Sequence, residues 1–142
     1  MPLAGPGSII QNTLIVMHFE SNGLMLNDFI DRVKAGQAVD FKETMAVIAE
    51  AYDYQPTTFS NGLHQPLMNE AGHNEGSCKI FAFAKLHGLN QNQTLVLFGD
   101  YYRKDVLGNP AGHDHQNIRI FMRDGWDGIV FQGEVLTAKQ AG

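Results

Sequence analysis

The segment from Glu75 to His87 constrains the fold of this chain more than any other part of the sequence. Its apolar residues cover nearly the whole circumference of a helix, and Gly88 follows at the position of a helix terminator. A helix that is apolar on all sides must be covered by other elements. We therefore predict that it forms the centre of the core. The residues expected to be buried are Phe81, Phe83, Ala84 and Phe98.

Other short helices are indicated by residues that favour helix starts and ends. A polar N-cap is available before each of them, and two of the caps have Glu or Gln three residues later, as in a capping box. The predicted N-caps are Asn27, Asp40, Asn74, Asn90 and Asp114. The predicted ends are Gly36, Pro56, Gly88, Gly108 and Gly125.

A short strand or bent hairpin is expected from Ile129 to Val135, where apolar and polar residues alternate around Gly133. Its partner is either Thr57 to Phe59 or Leu14 to Phe19, because a lone strand cannot satisfy its own backbone. With 142 residues, 44% hydrophobic and 18% charged, the chain has the size and composition of one globular domain. The predicted fold class is α+β and mainly helical, with about five short helices and a small antiparallel strand pair.

The beginning of the chain differs in composition from the rest. Its first acidic or basic residue is Glu20, and Pro and Gly are concentrated in its first positions. It lacks the basic start and continuous apolar stretch of a secretory signal peptide. We expect residues 1–24 to be a flexible or vector-derived leader, residues 25–138 to be the folded domain, and residues 139–142 to be a tail.

Composition also excludes several classes of protein. The formal net charge is -5 and lysines and arginines are not clustered, so we expect no binding to nucleic acid. The single cysteine, Cys78, excludes an intramolecular disulfide and indicates a reducing compartment. No apolar run approaches the roughly 18 residues that span a bilayer, so we expect no membrane association.

Two stretches, residues 69–79 and 113–119, contain most of the unusual polar residues, and both adjoin predicted helix starts. Free backbone N–H groups and the positive end of the helix dipole favour an anion there and lower the pKa of a thiol. Such residues also collect at helix starts simply because capping requires them. We predict that the two stretches lie side by side as one binding surface. Its expected members are Asn69, Glu70, Asn74, Glu75, Ser77, Asp114, His115, Gln116, Asn117 and Arg119.

Catalytic and metal-binding interpretations of these stretches remain alternatives. A cysteine-dependent hydrolase or transferase would use Cys78 as nucleophile and His115 as base, with Asp114 or Asn74 orienting the imidazole. A lone cysteine on an apolar helix is more often a small buried residue.

A metal site would use His113 and His115, which share a face only on an extended segment, with His73 or Glu75 as a further ligand. Capping by Asp114 competes with that geometry, so we expect neither a metal nor a cofactor.

Several segments, in this order, resemble the HopJ type III effector family of plant-pathogenic pseudomonads and other proteobacteria. They are Phe41 to Ala46 (FKETMA), Tyr54 to Gly62 (YQPTTFSNG), Asn69 to Leu89 (NEAGHNEGSCKIFAFAKLHGL), Asp114 to Arg119 (DHQNIR) and Gly125 to Gly133 (GWDGIVFQG). The resemblance covers roughly residues 26 to 138. His73 and His113 depart from it, because similar sequences have Thr at these positions.

The resemblance implies an effector, which is a class defined by its route of export, and it carries no catalytic mechanism. The favoured interpretation is a non-enzymatic binding protein with a host protein or a small ligand as partner, in an oligomeric state that the sequence leaves open. Its expected location is the bacterial cytoplasm or, after passage through a type III apparatus, a host cell.

Overall fold

Short helices surround two small antiparallel sheets in the computed structural model, which describes residues 25–140. The α-helices are α1 at residues 25–34, α2 Phe41–Ala51, α3 Glu75–Leu86, α4 Gln91–Val96 and α5 Gln116–Asp124, with a π-helix Tyr101–Val106 and a 3-10 helix Gly125–Gly128. The strands are β1 Tyr52–Tyr54, β2 Phe59–Asn61, β3 Leu67–Asn69, β4 Ile129–Phe131 and β5 Leu136–Ala138. The predicted mainly helical α+β fold is confirmed. The predicted leader, residues 1–24, lies outside the described residues.

The strands form two sheets where the sequence predicted one strand pair. In the larger sheet β2 lies between β3 and β4, and Phe59 is opposite Asn69 on one side and Phe131 on the other. This pairing confirms one of the two predicted partners, while Leu14 to Phe19 lies outside the described residues. The second sheet pairs β1 with β5, so the chain after Gly133 forms a separate strand beside the strand that follows α2.

Helix α3 lies at the centre of the core, as predicted. Phe81, Phe83 and Ala84 are fully buried, and Phe98 is 2% exposed. The Phe81 ring packs against Phe59, Phe98, Phe121 and Trp126, with centroid distances of 5.9, 5.6, 4.9 and 6.3 Å. One ring therefore joins the larger sheet, α5 and the turn after α4 to the central helix. Among residues 25–140 there is no helix with the length and apolarity needed to cross a membrane.

Three of the predicted helix boundaries are formed by local contacts. Asn90 and Gln93 make both hydrogen bonds of a capping box at the start of α4. After Gly88, the Leu89 N–H donates to the Ala84 carbonyl at 2.9 Å, which closes α3. Beyond Gly125, Trp126 packs edge-on against Phe121 with a centroid distance of 5.1 Å.

Asp40 and Asn74 are at the predicted N-cap positions without the expected side-chain hydrogen bonds, and the N-cap predicted at Asp114 is wrong. Neither Asp40 nor Asn74 caps its helix through its side chain. The Glu43 carboxylate that a capping box at Asp40 requires is paired with Arg32 of α1 instead. Helix α5 has His115 as its N-cap, and Asp114 lies outside the helix with its carboxylate on Arg119.

Helix α4 ends at Val96, although the sequence predicted a helix reaching Gly108. The chain turns at Gly99, which has φ of +61° and lies against the start of α2. A Cβ atom at position 99 would be 2.6 Å from the Phe41 nitrogen, so only glycine fits this turn. The turn redirects the chain into the π-helix, which places Tyr101 next to Phe41.

A second close approach joins two glycines where β2 ends and β4 begins. The Gly62 N–H donates to the Gly128 carbonyl at 2.9 Å. A Cβ atom at position 128 would lie 2.9 Å from the Gly62 nitrogen. The backbones are therefore closer here than a side chain allows.

Candidate binding site

Two residues with left-handed backbone conformation, Asn74 and His115, stand directly before α3 and α5. Asn74 has φ 55° and ψ 46°, and His115 has φ 51° and ψ 52°. They are the only residues other than glycine with positive φ in the described part of the chain. Residues other than glycine rarely adopt this backbone conformation without compensating contacts. The turn before each helix is therefore held by its surroundings.

A cavity of about 430 Å³ lies between these two helix starts. It is lined by residues of both polar stretches and by apolar and aromatic residues from α2, β3, α5 and the chain after α4. The lining residues are Phe41, Leu67, Asn74, Gly76, Ser77, Phe98, Tyr101, His115, Gln116, Asn117 and Ile118. The structure thus brings residues 69–79 and 113–119 together.

A cluster of four asparagines, Asn61, Asn69, Asn74 and Asn117, connects the two stretches beneath the cavity. Asn69 Oδ1 accepts hydrogen bonds from Asn74 Nδ2 at 2.7 Å and from Asn117 Nδ2 at 2.8 Å. Asn117 Oδ1 accepts from Asn61 Nδ2 at 3.0 Å and from Asn69 Nδ2 at 3.1 Å. Asn61, Asn69 and Asn117 are buried, and their amide atoms have protein partners in place of water, except Asn61 Oδ1, which has no partner among the described residues. The cluster fixes the distance between the starts of α3 and α5.

Residues of the first turn of both helices line the cavity, and their backbone N–H groups have no acceptor in the described part of the chain. Within residues 25–140, no carbonyl or side chain accepts from the N–H groups of Gly76, Ser77, Gln116 or Asn117. Helix starts leave such donors free unless a cap satisfies them, and here neither N-cap side chain does so. They are available to an oxygen atom of a ligand.

The aromatic side of the cavity is formed by Phe41 and Tyr101. Their rings meet edge to face with a centroid distance of 4.9 Å. Tyr101 also packs on the His115 ring at 5.1 Å. The imidazole is therefore held in place both by its backbone turn and by an aromatic neighbour.

Acidic and basic side chains at the edge of the cavity contact one another. His115 Nε2 is 3.0 Å from Asp105 Oδ2 and 3.7 Å from Asp114 Oδ2. The Arg119 guanidinium donates to Asp114 Oδ1 at 2.5 Å, and this hydrogen bond lowers the pKa of the Asp114 carboxyl. Arg119 also donates to the carbonyls of Asp114 and Asn109, so it braces the loop before α5.

Cys78 lies behind the cavity, in the core, with 1% of its surface exposed. Its thiol donates to the Thr57 carbonyl at 3.5 Å, and burial raises the pKa of the thiol. His115 has Asp105 and Tyr101 as its neighbours. The two groups required for a cysteine-dependent reaction are therefore each bound elsewhere, and the thiol is not in its reactive thiolate form.

The predicted site residues fall into distinct positions. Those that line the cavity are Asn74, Ser77, His115, Gln116 and Asn117. Asn69 is buried beneath them, Asp114 and Arg119 lie at the edge beside His115, Glu75 begins α3, and Glu70 is exposed in the loop before α3. Sequence reasoning missed Phe41, Tyr101 and Asp105. No local sequence pattern indicates them, because it is the turn at Gly99 that brings Tyr101 next to Phe41 and Asp105 next to His115.

Comparison with known proteins identifies the family of this chain. The family model described as HopJ type III effector protein matches residues 26–136. The chain belongs to the HopJ type III effector family. A solved structure, described as that of the unknown function protein VPA0580, is 47% identical and has a TM-score of 0.76, covering 80% of this chain and 92% of that chain. Comparison with curated protein sequences gives no significant match.

Proposed function

We propose that this protein is a non-enzymatic binding protein whose ligand occupies the cavity between the starts of α3 and α5. The observation that supports this proposal is one cavity of about 430 Å³ lined by residues of both helix starts, whose backbone N–H groups have no acceptor among residues 25–140. That volume is within the range of small-ligand sites, which are mostly apolar with a few placed polar groups. The burial of Cys78 favours binding over cysteine-dependent catalysis.

The walls of the cavity define the chemistry of its ligand. Phe41, Leu67 and Tyr101 offer an apolar and aromatic surface, while the N–H groups of Ser77 and Asn117 offer donors. The ligand therefore combines a flat or aliphatic group with an oxygen acceptor. Glu75, at the start of α3, disfavours a highly charged anion such as a phosphate. We propose a small molecule, or a side chain presented by a host protein, with a carbonyl or hydroxyl oxygen.

A fragment screen read by amide NMR shifts tests this proposal. We expect carbonyl-bearing aromatic fragments to shift the amide signals of Gly76, Ser77, Gln116 and Asn117 together. Ser77→Leu should abolish these shifts because its larger side chain enters the cavity. Ser60→Leu is the matched control, since Ser60 lies on β2 and does not line the cavity. The proposal fails if no fragment shifts these amides, or if Ser77→Leu retains the hits.

We also propose that the protein acts outside the bacterial cell. Support comes from the family, whose members are described as type III effectors. The composition of residues 1–24 adds support, since their first acid is Glu20. The test is a secretion assay in strains with and without a working type III apparatus, using the full chain and a chain without residues 1–24. Export that requires both the apparatus and these residues is expected, and retention of the full chain in the cell would contradict the proposal.

A further inference from the structure

The geometry points to a divalent metal site formed by Asp105, Asp114 and His115 at the edge of the cavity. One ligand atom from each residue lies within 4.8 Å of the others, a carboxylate oxygen from each aspartate and a ring nitrogen from the histidine. This inference goes beyond the proposed ligand binding and does not depend on it, because the metal ligands are side chains outside the set of free N–H groups.

The distances between the ligand atoms fit coordination of one ion. Zinc bonds of about 2.1 Å in tetrahedral geometry place two ligand atoms about 3.4 Å apart. His115 Nε2 is 3.0 Å from Asp105 Oδ2 and 3.7 Å from Asp114 Oδ2, so these two distances lie on either side of that value.

The surrounding contacts orient each ligand. Asp114 uses Oδ1 for Arg119, which leaves Oδ2 turned toward His115. Tyr101 packs on the imidazole and limits its rotation. Contacts of this kind around a metal site set the direction of its ligands and strengthen metal binding.

The cluster is open enough for an ion and for further ligands. The side chains of Asp105, Asp114 and His115 are 46%, 52% and 29% exposed. His115 also lines the cavity, so an ion at its Nε2 would lie at the cavity edge. Three protein ligands leave at least one coordination position for water or for an oxygen atom of a bound molecule.

The donor set selects the class of ion. An imidazole nitrogen with two carboxylate oxygens suits Zn²⁺ and Mn²⁺, whereas Mg²⁺ and Ca²⁺ prefer oxygen ligands alone. The proposed site differs from the sequence-based expectation that no metal is bound. It also replaces the ligand set considered there, since His73 and His113 are not members of the cluster and Asp105 is.

The test is a calorimetric titration of the chelator-treated full chain with Zn²⁺ alone, repeated with Mn²⁺ and Mg²⁺. We expect one equivalent of Zn²⁺ to bind, with Mg²⁺ much weaker. We expect Asp105→Asn and His115→Ala each to weaken Zn²⁺ binding on the order of 100-fold, because loss of a residue that only supports a ligand already costs about 10- to 100-fold. Asp105→Asn keeps the shape of the side chain. His113→Ala is the matched control, because that histidine is exposed and two residues away, and it should bind Zn²⁺ like the wild type.

NMR signals of the histidine rings provide a second readout that does not depend on a variant folding. Zn²⁺ should shift the His115 ring signals and leave those of His113 in place. The proposal is overturned if Zn²⁺ does not bind, if Asp105→Asn binds it unchanged, or if the His115 ring does not respond. The side chains would then form only an ion pair. Zn²⁺ is titrated without any fragment, so neither result bears on the proposed ligand cavity, which the fragment screen tests separately.

Discussion

Asn69 and Asn117 exchange hydrogen bonds through their side-chain amides. Asn117 Nδ2 donates to Asn69 Oδ1 at 2.8 Å, and Asn69 Nδ2 donates to Asn117 Oδ1 at 3.1 Å. Asn69 is 1% exposed and Asn117 is 6% exposed, so water does not replace either bond. The pair joins the end of β3 to the first turn of α5 and thereby holds the two sides of the cavity together.

Replacing Asn117 by Ala should destabilise the protein by about 2 to 3 kcal/mol, because buried amides that lose their partners keep the cost of desolvation. The change removes three buried hydrogen bonds, two that Asn61 and Asn69 donate to Asn117 Oδ1 and one that Asn117 Nδ2 donates to Asn69 Oδ1. Urea unfolding measures the change. Gln116→Ala is the control, since the adjacent Gln116 is exposed and should change the free energy of unfolding by no more than about 0.5 kcal/mol. Equal effects of the two changes would contradict the structural role of the cluster.

Replacing Phe83 by Ala should cost about 3 to 5 kcal/mol, the range for removing a buried aromatic ring. Phe83 is fully buried and packs against Phe29, Tyr52 and His87. Thermal and urea unfolding measure the loss. Leu86→Ala on the same helix is the control, because Leu86 is 57% exposed and should have little effect. A neutral Phe83→Ala would place the ring outside the core.

Cys78 should react slowly with a thiol reagent in the native protein. Burial raises the pKa of this thiol, so little thiolate is present at neutral pH, and the sulfur is inaccessible. The measurement compares labelling of native protein with labelling of protein unfolded in urea at the same pH. Rapid labelling of the native form at pH 6 would instead indicate a depressed pKa and would restore the cysteine-dependent alternative.

The stability of the fold should decrease as the pH falls below about 6.5, the ordinary pKa of histidine. His87 Nε2 is 2.6 Å from the Tyr52 hydroxyl, and burial, followed by the charge of Lys34, lowers the pKa of His87. His87 therefore takes up a proton at a higher pH in the unfolded chain than in the folded one. The free energy of unfolding decreases as the pH falls through the range between these two pKa values. Urea unfolding between pH 7 and pH 5 measures the slope.

His87→Gln should reduce this pH dependence, since glutamine can accept the Tyr52 hydrogen bond and does not titrate. His64→Gln serves as the control because His64 is exposed, and it should preserve the slope. If His87→Gln and the wild type lose stability equally between pH 7 and pH 5, His87 is not the responsible group.

Elements with local signals were predictable from the sequence. The apolar circumference of α3 and the capping box of Asn90 with Gln93 are both encoded within a few neighbouring residues. The positions of the two polar stretches followed from their place at helix starts. The pairing of Asp105 with His115 could not be predicted, because it depends on the turn at Gly99 and on the left-handed backbone of His115. The missing capping box at Asp40 has the same origin, because Glu43 pairs with Arg32 of another helix.

The contact between Gly62 and Gly128 restricts how this sequence can diverge. A side chain at position 128 would push the β2 backbone away, and Asn61, opposite Ile129 in the strand register, would move with it. Asn61 donates to Asn117, so the displacement would reach the floor of the cavity. Mutational tolerance should therefore be low at a glycine that does not line the cavity, whereas Ser60, Met68 and Val130 on the outer face of the same sheet should accept substitutions.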